Sequence, residues 1–170
     1  MHKKYSYWQA VVFYVLINLI AGYGVTLFVD IKEIYGALTL PTWAPATWVF
    51  GVAWTINNIL ILTGNIWTLN SPHSLERTWL LRLQALSWLN YALFQWLSFG
   101  TGIPSLFFWP TFSMLILTLG SMYFAYRLDT KNKSFVKTVT SFRSITLTFS
   151  TLILWLSIAS LLGYSIMMNN

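Results

Sequence analysis

The sequence predicts an all-α membrane protein, a five-transmembrane-helix bundle forming one domain over residues 1–170. Three observations carry that expectation. Charged residues make up 8% of the chain and hydrophobic ones 56%, whereas a soluble domain averages about 25% charged. The charges stand between blocks free of ionised groups, at 5–29, 34–75, 83–126 and 144–170, and each block holds the roughly 20 helical residues that cross hydrocarbon. The basic residues also sort to one side of those blocks. A cytosolic enzyme, a nucleic-acid partner and a disordered linker are excluded by this pattern. With no Cys there is no disulfide, no thiol nucleophile and no Cys-based metal site.

The first block predicts a span over 8–29. Lys3 and Lys4 precede it like the n-region of a signal peptide. The apolar run outlasts an h-region, and no A-x-A site follows it, so the span is read as uncleaved. The second block opens with the Pro- and turn-rich stretch 35–45 and predicts a span over 46–69. The third is broken by Phe99-Gly100-Thr101-Gly102-Ile103-Pro104, which divides it into spans at 83–99 and 105–126. One broken re-entrant helix is the alternative, but each half is long enough alone. The last block predicts a span over 145–168. The N-terminus and the loops 70–82 and 127–144 then share one side. They carry nine of the ten Lys and Arg residues: Lys3, Lys4, Arg77, Arg82, Arg127, Lys131, Lys133, Lys137 and Arg143, with only Lys32 opposite. That bias predicts a multi-pass protein of the cell (cytoplasmic) membrane with its N-terminus inside.

No acid or base lies within the spans, which argues against pumps, voltage sensors and ion-coupled carriers. His2 and His73 fall in inside-facing segments, so no metal site and no cofactor are expected. No Ser-His-Asp set, carboxylate pair or phosphate-cradling loop can be assembled. The polar residues at depth are Asn18, Asn57, Asn58, Asn65, Gln84, Asn90 and Gln95. An amide in hydrocarbon needs a partner, either another helix or a ligand in an apolar cavity. Small residues at Ala53, Asn57 and Gly64, and at Ser157, Ser160 and Gly163, predict close helix packing. The chain has 10 Trp, 9 Tyr and 12 Phe. Trp8, Trp67, Trp79 and Trp109 suit interfacial anchors. Trp43, Trp48, Trp54 and Trp155 suit that role less well. Indoles around a cavity would fit a flat, polycyclic ligand. Pro41 and Pro45 fix φ, which gives Trp43 and Trp48 a rigid backbone from which to pack downward as a lid. A purely structural turn is the alternative.

The stretch Tyr35-Gly-Ala-Leu-Thr-Leu-Pro41-Thr-Trp43-Ala-Pro45-Ala-Thr-Trp48-Val-Phe50-Gly51-Val-Ala-Trp54-Thr55 resembles the signature of the tryptophan-rich sensory protein family, TspO/MBR, also called translocator or peripheral-type benzodiazepine receptor proteins. Leu89-Asn90-Tyr91 with Gln95 and Ser98, and Leu154-Trp155 with Ala159 and Leu162, are similar to its third and fifth helices. The resemblance implies a five-helix bundle, often a homodimer, whose cavity is closed by the loop between the first two helices. It implies binding of porphyrins and other flat hydrophobic molecules, and a link to tetrapyrrole and stress regulation. The ligand-facing positions it implies are Tyr35, Trp43, Pro45, Trp54, Asn90, Phe94, Gln95, Trp155 and Ala159. Trp54 and Trp155 occupy the positions of tryptophans associated with light-dependent protoporphyrin degradation. A small transporter of an amphipathic molecule and a porphyrin-degrading enzyme are the competing functions. The chain departs from the pattern at Leu40, Ala46, Asn57-Asn58, Leu93-Phe94, Phe112 and Thr151-Leu152, and no Lys or Arg follows Tyr164 to complete a C-terminal cholesterol motif.

Overall fold

Helix starts in this chain are set by short polar side chains that accept the first free N–H groups. Ser6 opens α1 (Tyr7–Thr26) with a capping box: its Oγ accepts from the Gln9 N–H, and Gln9 Oε1 accepts from the Ser6 N–H. Asp30 caps the short α2 (Ile31–Ala37) by accepting from the N–H groups of Lys32 and Glu33. Helix α3 (Thr47–Leu69) follows Pro45 and has no side-chain cap. Ser74 caps α4, which runs over Leu75–Phe94 and continues in a wider, π-type turn at Gln95–Phe99. Gly102, at φ +65°, ends that run in the left-handed region where a Cβ is strained, and Pro104 precedes α5 (Ser105–Phe135). Ser144 caps α6 (Ile145–Asn169). The structure, a computed structural model, describes residues 6–135 and 144–170. Among the described residues there is no strand.

Among the described residues, four helices are long and apolar enough to cross a membrane: α1, α3, α5 and α6. Helix α4, which contains the span expected at 83–99, is not among them. Its first turns carry Glu76, Arg77 and Arg82, and its remainder Gln84, Asn90 and Gln95. The loop expected at 70–82 is mostly helix, because charge keeps a segment out of hydrocarbon without ending a helix. The loop expected from 127 is likewise helical through Phe135. The stretch 35–45 begins in a helix rather than a turn, since Asp30 and Glu33 supply an N-terminal signal.

The long helices close into a ring: α1 touches α3 and α4, α3 packs on α6, α6 on α5, and α5 on α4. Two small-residue stripes make the tightest seams. Gly64 of α3 faces the Thr148 side chain of α6. Gly163 of α6 lies so close to the backbone of α5 that an added Cβ would stand 2.7 Å from the Phe107 carbonyl carbon and 2.8 Å from Phe108 Cα. Amides join other helices: Gln84 Nε2 donates to Ser121 Oγ at 2.8 Å, and Asn65 Nδ2 to Gln84 Oε1 at 3.4 Å. Each such bond contributes about 0.6–2 kcal/mol.

The two ends of the ring differ in charge. One end gathers Glu76, Lys131, Arg127, Arg77 and Asp129. Lys131 Nζ lies 2.5 Å from Glu76 Oε1. Asp129 accepts from the backbone N–H groups of Ile145 and Thr146 at the start of α6. The other end carries α2, with Asp30, Lys32 and Glu33. Lys3, Lys4, Lys137 and Arg143, which carry part of the expected orientation, lie outside the described residues, as does His2.

Candidate ligand-binding cavity

Helix α3 turns Thr47, Phe50, Gly51, Trp54, Thr55 and Asn58 to one side, at the three- and four-residue spacing of a single helical stripe. Opposite it stand Tyr91, Phe94, Gln95 and Phe99 of α4, Ala159, Leu162, Gly163 and Ile166 of α6, Tyr14, Asn18 and Gly22 of α1, and Phe107 and Thr111 of α5. Ile31, Lys32 and Tyr35 of α2 complete the wall. Together they enclose a cavity of about 430 Å³ at the end of the bundle opposite the Glu76–Lys131 pair. The π-type turn of α4 supplies Gln95 and Phe99 to this wall.

The wall is aromatic. Trp54 and Tyr91 lie 5.0 Å apart, Tyr35 and Phe50 5.8 Å, and Phe99 and Phe107 5.3 Å between ring centres. The polar points are few. The Tyr91 hydroxyl donates to Asn18 Oδ1 at 3.2 Å, which fixes both at the inner end. Thr55 and Thr111 donate back to carbonyls of their own helices. The Tyr35 hydroxyl is buried and has no partner among the described residues, and burial pushes its pKa up, so it remains a donor. Beyond Trp54, Asn58 and Tyr91 a second void of about 30 Å³ reaches Gln84, Ser87 and Trp88.

Of the residues expected at a ligand, Tyr35, Trp54, Phe94, Gln95 and Ala159 line this cavity. Trp43, Pro45, Asn90 and Trp155 do not. Trp43 is half exposed and Trp48 more so, at 70%; neither packs downward. Trp48 falls outside the Phe50–Trp54 stripe once α3 begins at Thr47. Asn90 faces α5 instead, its Nδ2 donating to the Pro110 carbonyl at 2.9 Å and to Ser113 Oγ. Trp155 is buried behind the wall, edge-on to Phe50 at 5.5 Å and to Trp54 at 6.4 Å, with its Nε1 unpartnered.

Tyr14, Phe50, Asn58, Tyr91 and Lys32 line the cavity without having been expected there as ligand residues. The signal for two of them was present: Phe50 stands one turn before Trp54, and Tyr91 one turn before Gln95. The arrangement can enclose a flat apolar molecule and offers it few hydrogen bonds. Among the described residues no group of His, Cys, Asp and Glu is placed to hold a metal ion.

Among curated proteins none matches this chain. The TspO/MBR family model matches residues 10–168, nearly the whole length, and the protein belongs to that family.

Proposed function

We propose that this membrane protein binds a porphyrin or a related flat hydrophobic molecule in the cavity beneath α2. The observation that carries the reading is the cavity itself: about 430 Å³, walled by Phe50, Trp54, Tyr91, Phe94 and Phe99, with isolated amides at Asn18, Asn58 and Gln95. Ligand sites for flat apolar molecules are concave and largely apolar, with a few placed polar groups. Family membership supports the same reading. In this reading α4 is the fifth span, packed between α1 and α5, and the chain is one membrane domain. The charge sorting favours the N-terminus and the Glu76 end inside. Titrating the purified protein with protoporphyrin IX, with Trp fluorescence quenching as the readout, tests the function. Saturable quenching that Ala159→Leu weakens supports it; no saturable quenching overturns it.

A second reading is favoured by one contact. Trp54 lines the cavity and Trp155 touches it from behind, so an excited porphyrin would have two indoles in series beside it. Light-dependent porphyrin breakdown then needs no acid–base residue.

A further inference from the structure

Among the described residues, the cavity wall is uncharged except at one point. Lys32 lines it from α2, and no Asp or Glu does. Among the described residues the ion pairs join Glu76 to Arg127 and Lys131, at the opposite end of the bundle, and Lys32 has none. Its neighbouring acids are turned elsewhere. Asp30 Oδ1 accepts from the backbone N–H groups of Lys32 and Glu33, at 2.9 and 3.3 Å. Glu33 is exposed and not part of the wall. Tyr35 follows Lys32 by three residues, so both occupy one face of α2, and its buried hydroxyl has no partner. A cation with no ion pair among the described residues and an unsatisfied buried hydroxyl therefore line the same aromatic-walled space from one face of α2.

We infer that Lys32 and Tyr35 form a carboxylate-receiving subsite, so that the cavity selects a flat apolar ligand bearing a terminal acid over a neutral one. The inference rests on the ligand reading above and narrows it. A carboxylate is costly to bury without partners. Placed beside the exposed Lys32, it keeps partial contact with water while the apolar body fills the cavity. The ammonium of Lys32 supplies the charge, and the Tyr35 O–H supplies a hydrogen bond that is strengthened by the ionised acceptor. The negative oxygens of an anionic lipid headgroup offer the same chemistry, and the experiment separates the two sources.

Binding of protoporphyrin IX, whose propionates are free, is compared with that of its dimethyl ester in neutral detergent, with Trp quenching as the readout. The acid is expected to bind roughly fivefold or more tightly than the ester. Lys32→Met should erase that preference by weakening the acid alone. Lys32→Arg should keep it, and Tyr35→Phe should reduce it. Because Lys32 is exposed, its replacement leaves the bundle intact, and an unchanged Tm verifies this. Equal binding of acid and ester by the unaltered protein overturns the inference while leaving the porphyrin reading in place. Absence of binding by either overturns both. The same comparison is repeated in vesicles with and without phosphatidylglycerol. A preference that persists in both assigns the subsite to the ligand's carboxylate; one that vanishes with the anionic lipid assigns it to headgroups and overturns the inference.

Discussion

The Ser98 hydroxyl donates to the carbonyl of Leu106 at 2.5 Å. That carbonyl lies four residues before Pro110, which sits inside α5 and has no N–H to offer it. Ser98 is fully buried, so the turn of α4 beside the cavity repairs the defect that Pro110 makes in α5. Ser98→Ala keeps the volume nearly constant and leaves the carbonyl unsatisfied. The expected loss is about 1–3 kcal/mol of stability, read as a lower Tm in detergent. An unchanged Tm means that Leu106 finds another donor.

Ala159 and Gly163 are one turn apart on α6 and predict opposite failures. Ala159 faces the cavity. Ala159→Leu should narrow it and weaken porphyrin binding severalfold while Tm holds. Gly163 touches the Phe107–Phe108 backbone. Gly163→Ala has to push α5 and α6 apart, at a cost of about 1–3 kcal/mol or more. Parallel thermal unfolding and fluorescence titration of the two variants check the contrast.

The indoles of Trp54 and Trp155 meet at 85°, but only Trp54 lines the cavity. Under illumination, Trp54→Phe should reduce porphyrin loss sharply at equal binding, with no loss in the dark in any variant. Trp155→Phe should reduce it less. Trp155 Nε1 is buried and unpartnered among the described residues, so that substitution removes an unsatisfied donor, which offsets part of the cost of the void left by the smaller ring, and Tm should fall only slightly. Identical light-driven loss in all variants would show that both rings serve packing alone.

The hydrogen bond from Lys131 holds the Glu76 carboxyl below its ordinary pKa. A depressed carboxylate pKa adds stability that is complete above the unfolded value and disappears as pH falls through the folded one. Acidification below the usual glutamate range should therefore lower Tm in the unaltered protein. Glu76→Gln should flatten that dependence while having a lower Tm near neutral pH. A pH series of thermal unfolding curves measures both.

Much of the helix layout is legible in the sequence because Pro, Gly and capping residues punctuate it. Residues 46–69, 105 and 145 mark helix limits within a residue or so of those observed. The misplaced limits at 83 and 126 have a common cause. The last charge before the apolar block points to a start of α4 at 83, whereas Ser74 sets it a full two turns earlier. Site residues on regular stripes, such as Trp54, Gln95 and Ala159, could be placed from spacing and resemblance together. Asn90 could not, because its partners on α5, Pro110 and Ser113, are known only once the helices are packed. Trp43 and Trp48 carry the strongest motif yet face outward, since sequence spacing alone does not tell which side of a helix start meets the core.

Helix α2 contains no buried residue. Its following strand of chain is tied to the end of α6 by a reciprocal pair, Thr39 N–H to Asn170 Oδ1 at 2.8 Å and Asn170 Nδ2 to the Thr39 carbonyl at 3.3 Å. With no residue of α2 buried and Ile34 only partly packed against the core, the expected outcome is that this segment opens at a smaller free energy than the bundle unfolds. Entry then becomes a gated event: at high ligand concentration the observed association rate should level off at the opening rate instead of rising linearly. Asn170→Ala removes the tie and should raise that plateau. Amide exchange in 31–37 should accelerate in the same variant, while exchange in 145–160 stays slow.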